Sequence, residues 1–196
     1  MSTTFRGSPL ALTILSLLHY KPLHPYGVQR LIRDWGKDIV VNVGQRTSVY
    51  RTIDRLAEAG LVAVRETERD QAYPERTVYE VTDAGRAAAR RWLTEMIAAP
   101  KKEYPQFPAA LSYLLLLTAE EVPDLLEQRL KQVEDSLGQL ESNLAEQRAQ
   151  GLPRVSLLEL EYLETVTRAE AGWLRAVLDD LRSGRLRWTP DDFAER

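Results

Sequence analysis

The sequence contains no cysteine. Disulfides, iron–sulfur clusters and thiolate metal sites are excluded at once, and with them the small disulfide-stapled folds of secreted proteins. Histidine is nearly as scarce. His19 and His24 are the only two, and they flank one turn without further ligand spacing around them, so no metal site is expected. Long apolar runs are missing as well. The longest, such as Leu114–Leu117, falls far short of the roughly 20 residues that cross a bilayer. Met1–Gly7 lacks the basic start and apolar stretch of a signal peptide. These absences predict a cytoplasmic protein with no membrane partner. The sequence also has no P-loop, Rossmann glycine pattern or nucleophile elbow. No spacing of acids and hydroxyls nominates a catalytic set, so neither an enzyme nor a bound cofactor is predicted.

An overall basic charge is lacking too, which at first argues against a nucleic-acid partner: the formal net charge is -3. The distribution says otherwise. Residues 1–100 hold 14 Lys and Arg against 11 Asp and Glu, whereas residues 101–196 hold 12 against 18. A mildly basic half followed by an acidic half implies different partners for the two. With 44% hydrophobic and 28% charged residues over 196 positions, the chain has the makings of one or two globular domains.

The N-terminal half reads as helices closed by a hairpin. Ser8-Pro9 pairs an N-cap residue with a proline suited to the first helical position. Leu10, Ile14, Leu17 and Leu18 follow at helical spacing, which predicts a helix over 9–20. Pro22 and Pro25 mark a turn, and a second helix over 25–35 ends at Gly36. A linker over 37–44 carries the β-prone Ile39-Val40-Val41. The third helix starts near Thr47 or Ser48 and stops at Gly60, with Val49, Ile53 and Leu56 on one face. Thr47, Ser48, Arg51 and Arg55 occupy the other. A strand over 61–66, a polar turn over 67–75 and a returning strand over 76–81 follow, then a helix over 84–98 capped by Thr82-Asp83. Helix, helix, helix, hairpin, helix is the order of a winged helix-turn-helix. The fold class expected is mostly α with a small β-hairpin, in two domains: residues 1–99 for DNA binding and 100–196 for dimerisation.

Ala99-Pro100-Lys101-Lys102 separates the halves, and a short helix is expected over 108–117. Thr118 and Glu121 have capping-box spacing, as do Ser156 and Glu159. The helix behind the first runs to about 150 and carries Leu126, Leu130, Val133, Leu137, Leu140 and Leu144 in alternating steps of four and three, a coiled-coil seam. Gly151-Leu152-Pro153 breaks the chain. The helix behind the second runs to about 182 with Leu160, Leu163, Val166, Trp173, Val177 and Leu181 as its apolar stripe. The seam serves a second chain or the core of an intramolecular helical hairpin. The tail over 183–196 is mostly polar, with Trp188 among its few large apolar groups, and is expected to fray.

A recognition helix needs one face for the scaffold and one short-chained or basic face for the major groove. Thr47, Ser48, Arg51 and Arg55 form that face, and Tyr50 at its edge is assigned to the DNA backbone with its ring packed inward. Arg46 at its start, with Lys21 and Tyr26 on the preceding elements, is assigned to DNA as well. Arg65, Arg69 and Arg76 bracket the hairpin and are assigned to phosphate or the minor groove. Asp54 and Glu58 count against the reading. A solvated amphipathic helix is the bland alternative for the face alone.

Two segments resemble the PadR family of bacterial winged-helix regulators. Pro22-Leu23-His24-Pro25-Tyr26-Gly27 resembles that family's turn into its second helix, with Pro25 where the family often has glycine. Ser48-Val49-Tyr50, Leu56, Gly60-Leu61-Val62, Tyr79, Thr82 and Gly85 resemble the motif that runs from recognition helix to fourth helix. The resemblance covers residues 9–97, and the C-terminal part resembles that of the larger members. It implies a homodimer on a palindromic operator in double-stranded DNA, and repression relieved by a small aromatic effector. Dimerisation falls to Leu126, Leu130, Val133, Leu137, Leu140, Leu144, Leu163, Trp173 and Val177. Aromatic groups near the dimer interface contact flat ligands in such proteins, which nominates Trp92 as an effector contact. Plain packing is its other reading. A winged-helix adaptor whose helical arm binds a protein partner is the alternative function.

Overall fold

A computed structural model describes residues 5–43, 46–70 and 73–189, the side chains of residues 46, 68–70 and 73–76 excepted. Gly44, the centre of the hairpin turn and the last seven residues of the tail therefore lie outside the described residues. The chain divides into two compact units, Met1–Glu103 and Tyr104–Arg196.

The first unit is built on α1 (Pro9–Tyr20), the helix its neighbours surround. The Ser8 hydroxyl accepts a hydrogen bond from the Ala11 N–H at 3.2 Å, which caps the helix ahead of Pro9. Ala11, Ile14, Leu15, Leu17 and Leu18 are all buried. Around it pack α2 (Pro25–Asp34), α3 (Arg46–Glu58) and α4 (Asp83–Ala98). Val28 and Ile32 of α2, Val49, Ile53 and Leu56 of α3, and Ala88 and Trp92 of α4 join α1 in one core. In α1 and α3 the apolar phase is thus the one the sequence spacing indicates, whereas in α2 Val28 and Ile32 are buried and Tyr26 is exposed.

Two strands, β1 (Val62–Asp70) and β2 (Tyr73–Val81), pair antiparallel with Val62 opposite Val81 and Asp70 opposite Tyr73. Register shifts interrupt the ladder after Val64 and after Glu68. The strands run well past the expected ends at Glu66 and Arg76. The outer part of the ribbon is polar at most positions in sequence, so it offers no apolar alternation to read. In the 37–44 linker, Lys37–Ile39 forms a 3-10 turn. The turn before α2 also does more than change direction. Leu23 pairs with Tyr79 of β2 through two backbone hydrogen bonds of 3.0 and 2.9 Å, so the hairpin is pinned to the helical core.

In the second unit α5 (Gln106–Leu111) and a 3-10 turn at Leu114–Leu116 lead to α6 (Val122–Ala149) and α7 (Leu158–Arg182). The continuous helix expected over 108–117 is therefore two short pieces. The long helices form an antiparallel hairpin that turns at Gly151, whose φ of 76° belongs to the left-handed region. Val122, Leu126, Leu174 and Leu178 make one core cluster, and Leu144, Leu157 and Leu160 make another. Cross-helix ion pairs flank them: Arg182–Glu127, Arg175–Glu134, Arg129–Glu170 and Arg168–Glu141.

The expected capping boxes are only partly realised. The Thr118 N–H donates to the Glu121 carboxylate at 2.7 Å, but the helix begins after both, at Val122. At α7 the capping position is Leu157, because Ser156 is taken up in a 3-10 turn with Arg154 and Val155. The tail is anchored up to Trp188, whose indole N–H donates to the Leu117 carbonyl at 2.8 Å while its ring packs on the Leu174–Leu178 cluster.

Candidate nucleic-acid interface

The site is the outer side of α3 together with the hairpin. The Val49–Ile53–Leu56 stripe is fully buried, and this fixes the rotation of the helix. Thr47, Arg51, Asp54 and Glu58 are all exposed on the side away from it, with Ser48 half-buried and Tyr50 44% exposed at the margins. The Thr52 hydroxyl, between them and the core, donates to the Ser48 carbonyl at 2.7 Å. A short-chained residue and an arginine at the N-terminal end of an exposed helical face are what a groove-reading helix presents. The two acids lie further along. Asp54 is close enough to Tyr79 that its charge, after burial, helps raise the tyrosine hydroxyl above its ordinary titration range. This acid therefore faces the root of the hairpin.

The motif residues between α3 and α4 turn out to be architectural. The Thr82 hydroxyl donates to the Gly60 carbonyl at 2.8 Å and accepts from the Gly85 N–H at 3.0 Å, joining the end of α3 to the start of α4. A Cβ on Gly85 would lie 2.0 Å from the Leu61 carbonyl oxygen, so only glycine allows this approach. Tyr79 closes the bridge to Leu23. Together these contacts hold the hairpin in a fixed place beside α3. His24 belongs to the same frame: its Nδ1 accepts from the Gly27 N–H at 2.9 Å and caps α2. His19 accepts from the Arg86 guanidinium at 2.8 Å on its Nδ1.

The other predicted DNA contacts are distributed as follows. Lys21 is exposed just past the end of α1. Tyr26 is exposed in the first turn of α2, its ring stacked on His24 at 6.0 Å. Arg65 is exposed on β1, 3.7 Å from Glu80. Arg46 opens α3, and Arg69 and Arg76 lie on the paired strands near the hairpin tip. Their side chains are outside the described residues. Arg55 stands apart from the rest. Its guanidinium lies over the Phe5 ring, 5.0 Å from the centroid, on the flank of α3.

Trp92 has no free face for a flat effector. It is 3% exposed, its ring lies 5.6 Å from that of Phe5, and a Cβ on Gly7 would overlap it. Packing accounts for it. The seam residues of α6 face α7 of the same chain. Leu126, Leu137 and Leu144 are buried there, and Leu130, Val133 and Leu140 pack against the two core clusters. Of the two readings open for the seam, the hairpin core is the one the packing fits. On α7, Leu163 and Val177 are half-buried, while Trp173 points outward, its ring edge-on to Phe107. Sequence reading missed Ala171, Leu174 and Leu178, which fill the α7 side of the core. Taking the bulkiest residues, Val166 and Trp173, shifted the phase. Leu160, Ala171, Leu174 and Leu178 keep a seam in register with α6, and that regularity was the available signal. The phase leaves a second stripe exposed on α7: Leu158, Tyr162, Val166 and Trp173.

Among the described residues no helix is long and apolar enough to cross a membrane. Residues 14–91 match the model of the transcriptional regulator PadR-like family. Solved structures of similar fold include PadR of Bacillus subtilis in complex with operator DNA, at a TM-score of 0.73 and 19% identity over 89% of this chain and 99% of that one. The same protein in complex with p-coumaric acid gives 0.70 and 17% over 88% and 98%. The virulence activator AphA of Vibrio cholerae gives 0.64 and 21% over 89% and 98%. No curated protein matches the chain in sequence.

Proposed function

With residues 14–91 belonging to the PadR-like family of transcriptional regulators, we propose that the chain is a cytoplasmic, sequence-specific DNA-binding repressor. It acts as a homodimer on a palindromic operator and is released by a small aromatic ligand. The observation that carries this reading is the exposed Thr47–Arg51 face of α3, rotated outward by a fully buried stripe and flanked by a hairpin pinned through Leu23 and Tyr79. Thr47, Ser48 and Arg51 enter the major groove, with Tyr50 on the backbone at its edge. Lys21, Tyr26 and Arg46 meet the adjoining backbone, and Arg65, Arg69 and Arg76 reach phosphate from the wing. Residues 1–99 carry this role and 100–196 carry assembly.

Support for the homodimer comes from the stripe Leu158, Tyr162, Val166 and Trp173, which the hairpin core leaves uncovered. Large apolar groups at helical spacing on one exposed face are costly to leave in water, and a second copy covers them symmetrically. A two-fold dimer offers two recognition helices to half-sites about one DNA turn apart, which is why the operator is palindromic. Support for the ligand class comes from a protein of similar fold that is solved with p-coumaric acid. Since Trp92 is buried, the ligand occupies another surface. A gel shift with the full chain against duplexes it enriches from a random library tests the reading. Saturable, salt-dependent binding to a two-fold symmetric sequence is expected. Absence of any enriched duplex, with the protein folded, refutes it in favour of an adaptor role.

A further inference from the structure

Arg55 is the residue on which sequence and geometry part. By sequence it belongs to the basic face of α3. In the structure its guanidinium lies over the Phe5 ring at 5.0 Å. That ring is itself half-buried against the core, 5.6 Å from the ring of Trp92. Trp92 is buried in α4, and the chain passes it at Gly7 too closely for any side chain there. The sequence of contacts is continuous: α3 through Arg55 to Phe5, and Phe5 to Trp92 of α4. A guanidinium over an aromatic face is held by the ring's negative quadrupole, and it gives up that position if it turns away to a phosphate. Arg55 also lies in the last turn of α3, beyond the end that carries Thr47 and Arg51.

We infer that Arg55 is a positioning residue: it clamps the flank of the recognition helix to α4 through the Phe5 ring and makes no contact with DNA. This rests on the DNA-binding reading and refines it. The clamp fixes where Thr47 and Arg51 stand relative to the hairpin, and its loss lets that end of α3 shift before DNA is bound. The residues that position the reading face then include Phe5, which no motif points to.

The two roles of Arg55 separate by salt. A phosphate contact contributes about 0.9 to the slope of log K against log salt, whereas a positioning contact contributes nothing to it. The full chain is used with a duplex that the wild-type protein enriches from a random library. Arg55→Gln, Phe5→Leu, the double variant and Phe5→Tyr are titrated by fluorescence anisotropy over a series of salt concentrations, with melting curves as the check on folding. The inference expects Arg55→Gln and Phe5→Leu each to weaken binding by about fivefold per protomer, and the double variant to be no weaker than either. It also expects an unchanged salt slope in all of them and wild-type affinity in Phe5→Tyr, which keeps the ring. A flattened slope in Arg55→Gln, with Phe5→Leu binding like wild type, overturns it in favour of a phosphate contact. Additive losses overturn it as well, because two halves of one clamp cannot add. If no duplex is enriched at all, the DNA-binding reading falls and this inference with it.

Discussion

Trp173 and Leu174 are neighbours on α7, one exposed and one buried, and they separate what holds the hairpin together from what joins two chains. Leu174 is 0% exposed between Val122, Leu126 and Leu178, while Trp173 is 44% exposed. Leu174→Ala removes three carbons from the core. At about 0.8 kcal/mol per buried methylene and a further cavity term, the loss is roughly 3–4 kcal/mol. For a unit of this size 1 kcal/mol moves the melting point by about 4–8 °C, so a drop of at least about 10 °C is expected. Trp173→Glu gives up the edge-on contact with Phe107, worth roughly 1 kcal/mol, so the melting point of the isolated chain falls by about 4–8 °C, less than for Leu174→Ala. Its effect is on association, where loss of a large aromatic anchor raises the dimer dissociation constant by about thirtyfold or more. Circular dichroism melts and light scattering, each over a concentration series, read the two effects. If Trp173→Glu remains as tight a dimer as the wild type, the exposed stripe is not the interface. If Leu174→Ala melts like the wild type, the packing assigned to the hairpin is wrong.

Other predictions probe the first unit. Arg51→Ala weakens operator binding by about 1–3 kcal/mol without lowering the melting point, if it reads a base as its place on the exposed face implies; a titration and a melt check both halves. Neutralising Arg65, Arg69 and Arg76 together lowers the steepness of the salt dependence, since fewer counterions are released, and an unchanged slope removes the wing from the DNA. Gly85→Ala places a methyl 2.0 Å from the Leu61 carbonyl and destabilises the first unit by about 1–3 kcal/mol, read as a lower melting point. Tyr79 titrates above its ordinary value of 10.0 because of burial and the charge of Asp54. Folding therefore favours the neutral phenol, and that contribution is whole below pH 10 and lost as the pH rises through the raised value. Tyr79→Phe abolishes this part of the alkaline loss of stability, and urea titrations across that range measure it.

Elements whose signals are local were legible in the sequence. Ser8-Pro9 and Thr82 announce α1 and α4, and the Val49–Ile53–Leu56 spacing fixes the buried face of α3. Features set by distant partners were not. The Leu23–Tyr79 bridge joins residues far apart in the chain, and nothing in a proline-bounded turn signals a strand pairing. The outer hairpin is polar on both faces, so its extent is invisible to hydrophobic pattern. On α7 the bulky residues lie on the exposed stripe and the smaller Ala171 on the core side, which reverses the usual guide of size. Trp188, expected to fray with the tail, finds both an apolar cluster and a carbonyl acceptor at Leu117. For the site, residue type drew attention to α3. Only the packing of Phe5 separates Arg55 from Arg51, because two arginines four positions apart look alike until one of them has a ring beneath it.

The central claim is that this chain reads double-stranded DNA through the Thr47–Arg51 face of α3 as a two-fold dimer. The most direct test is the stoichiometry and salt dependence of its binding to the duplex it enriches, measured by anisotropy together with analytical ultracentrifugation. The account predicts two chains per duplex on a two-fold symmetric sequence, with log K falling linearly and steeply as log salt rises. One chain per duplex, an asymmetric site, or affinity indifferent to salt would contradict it.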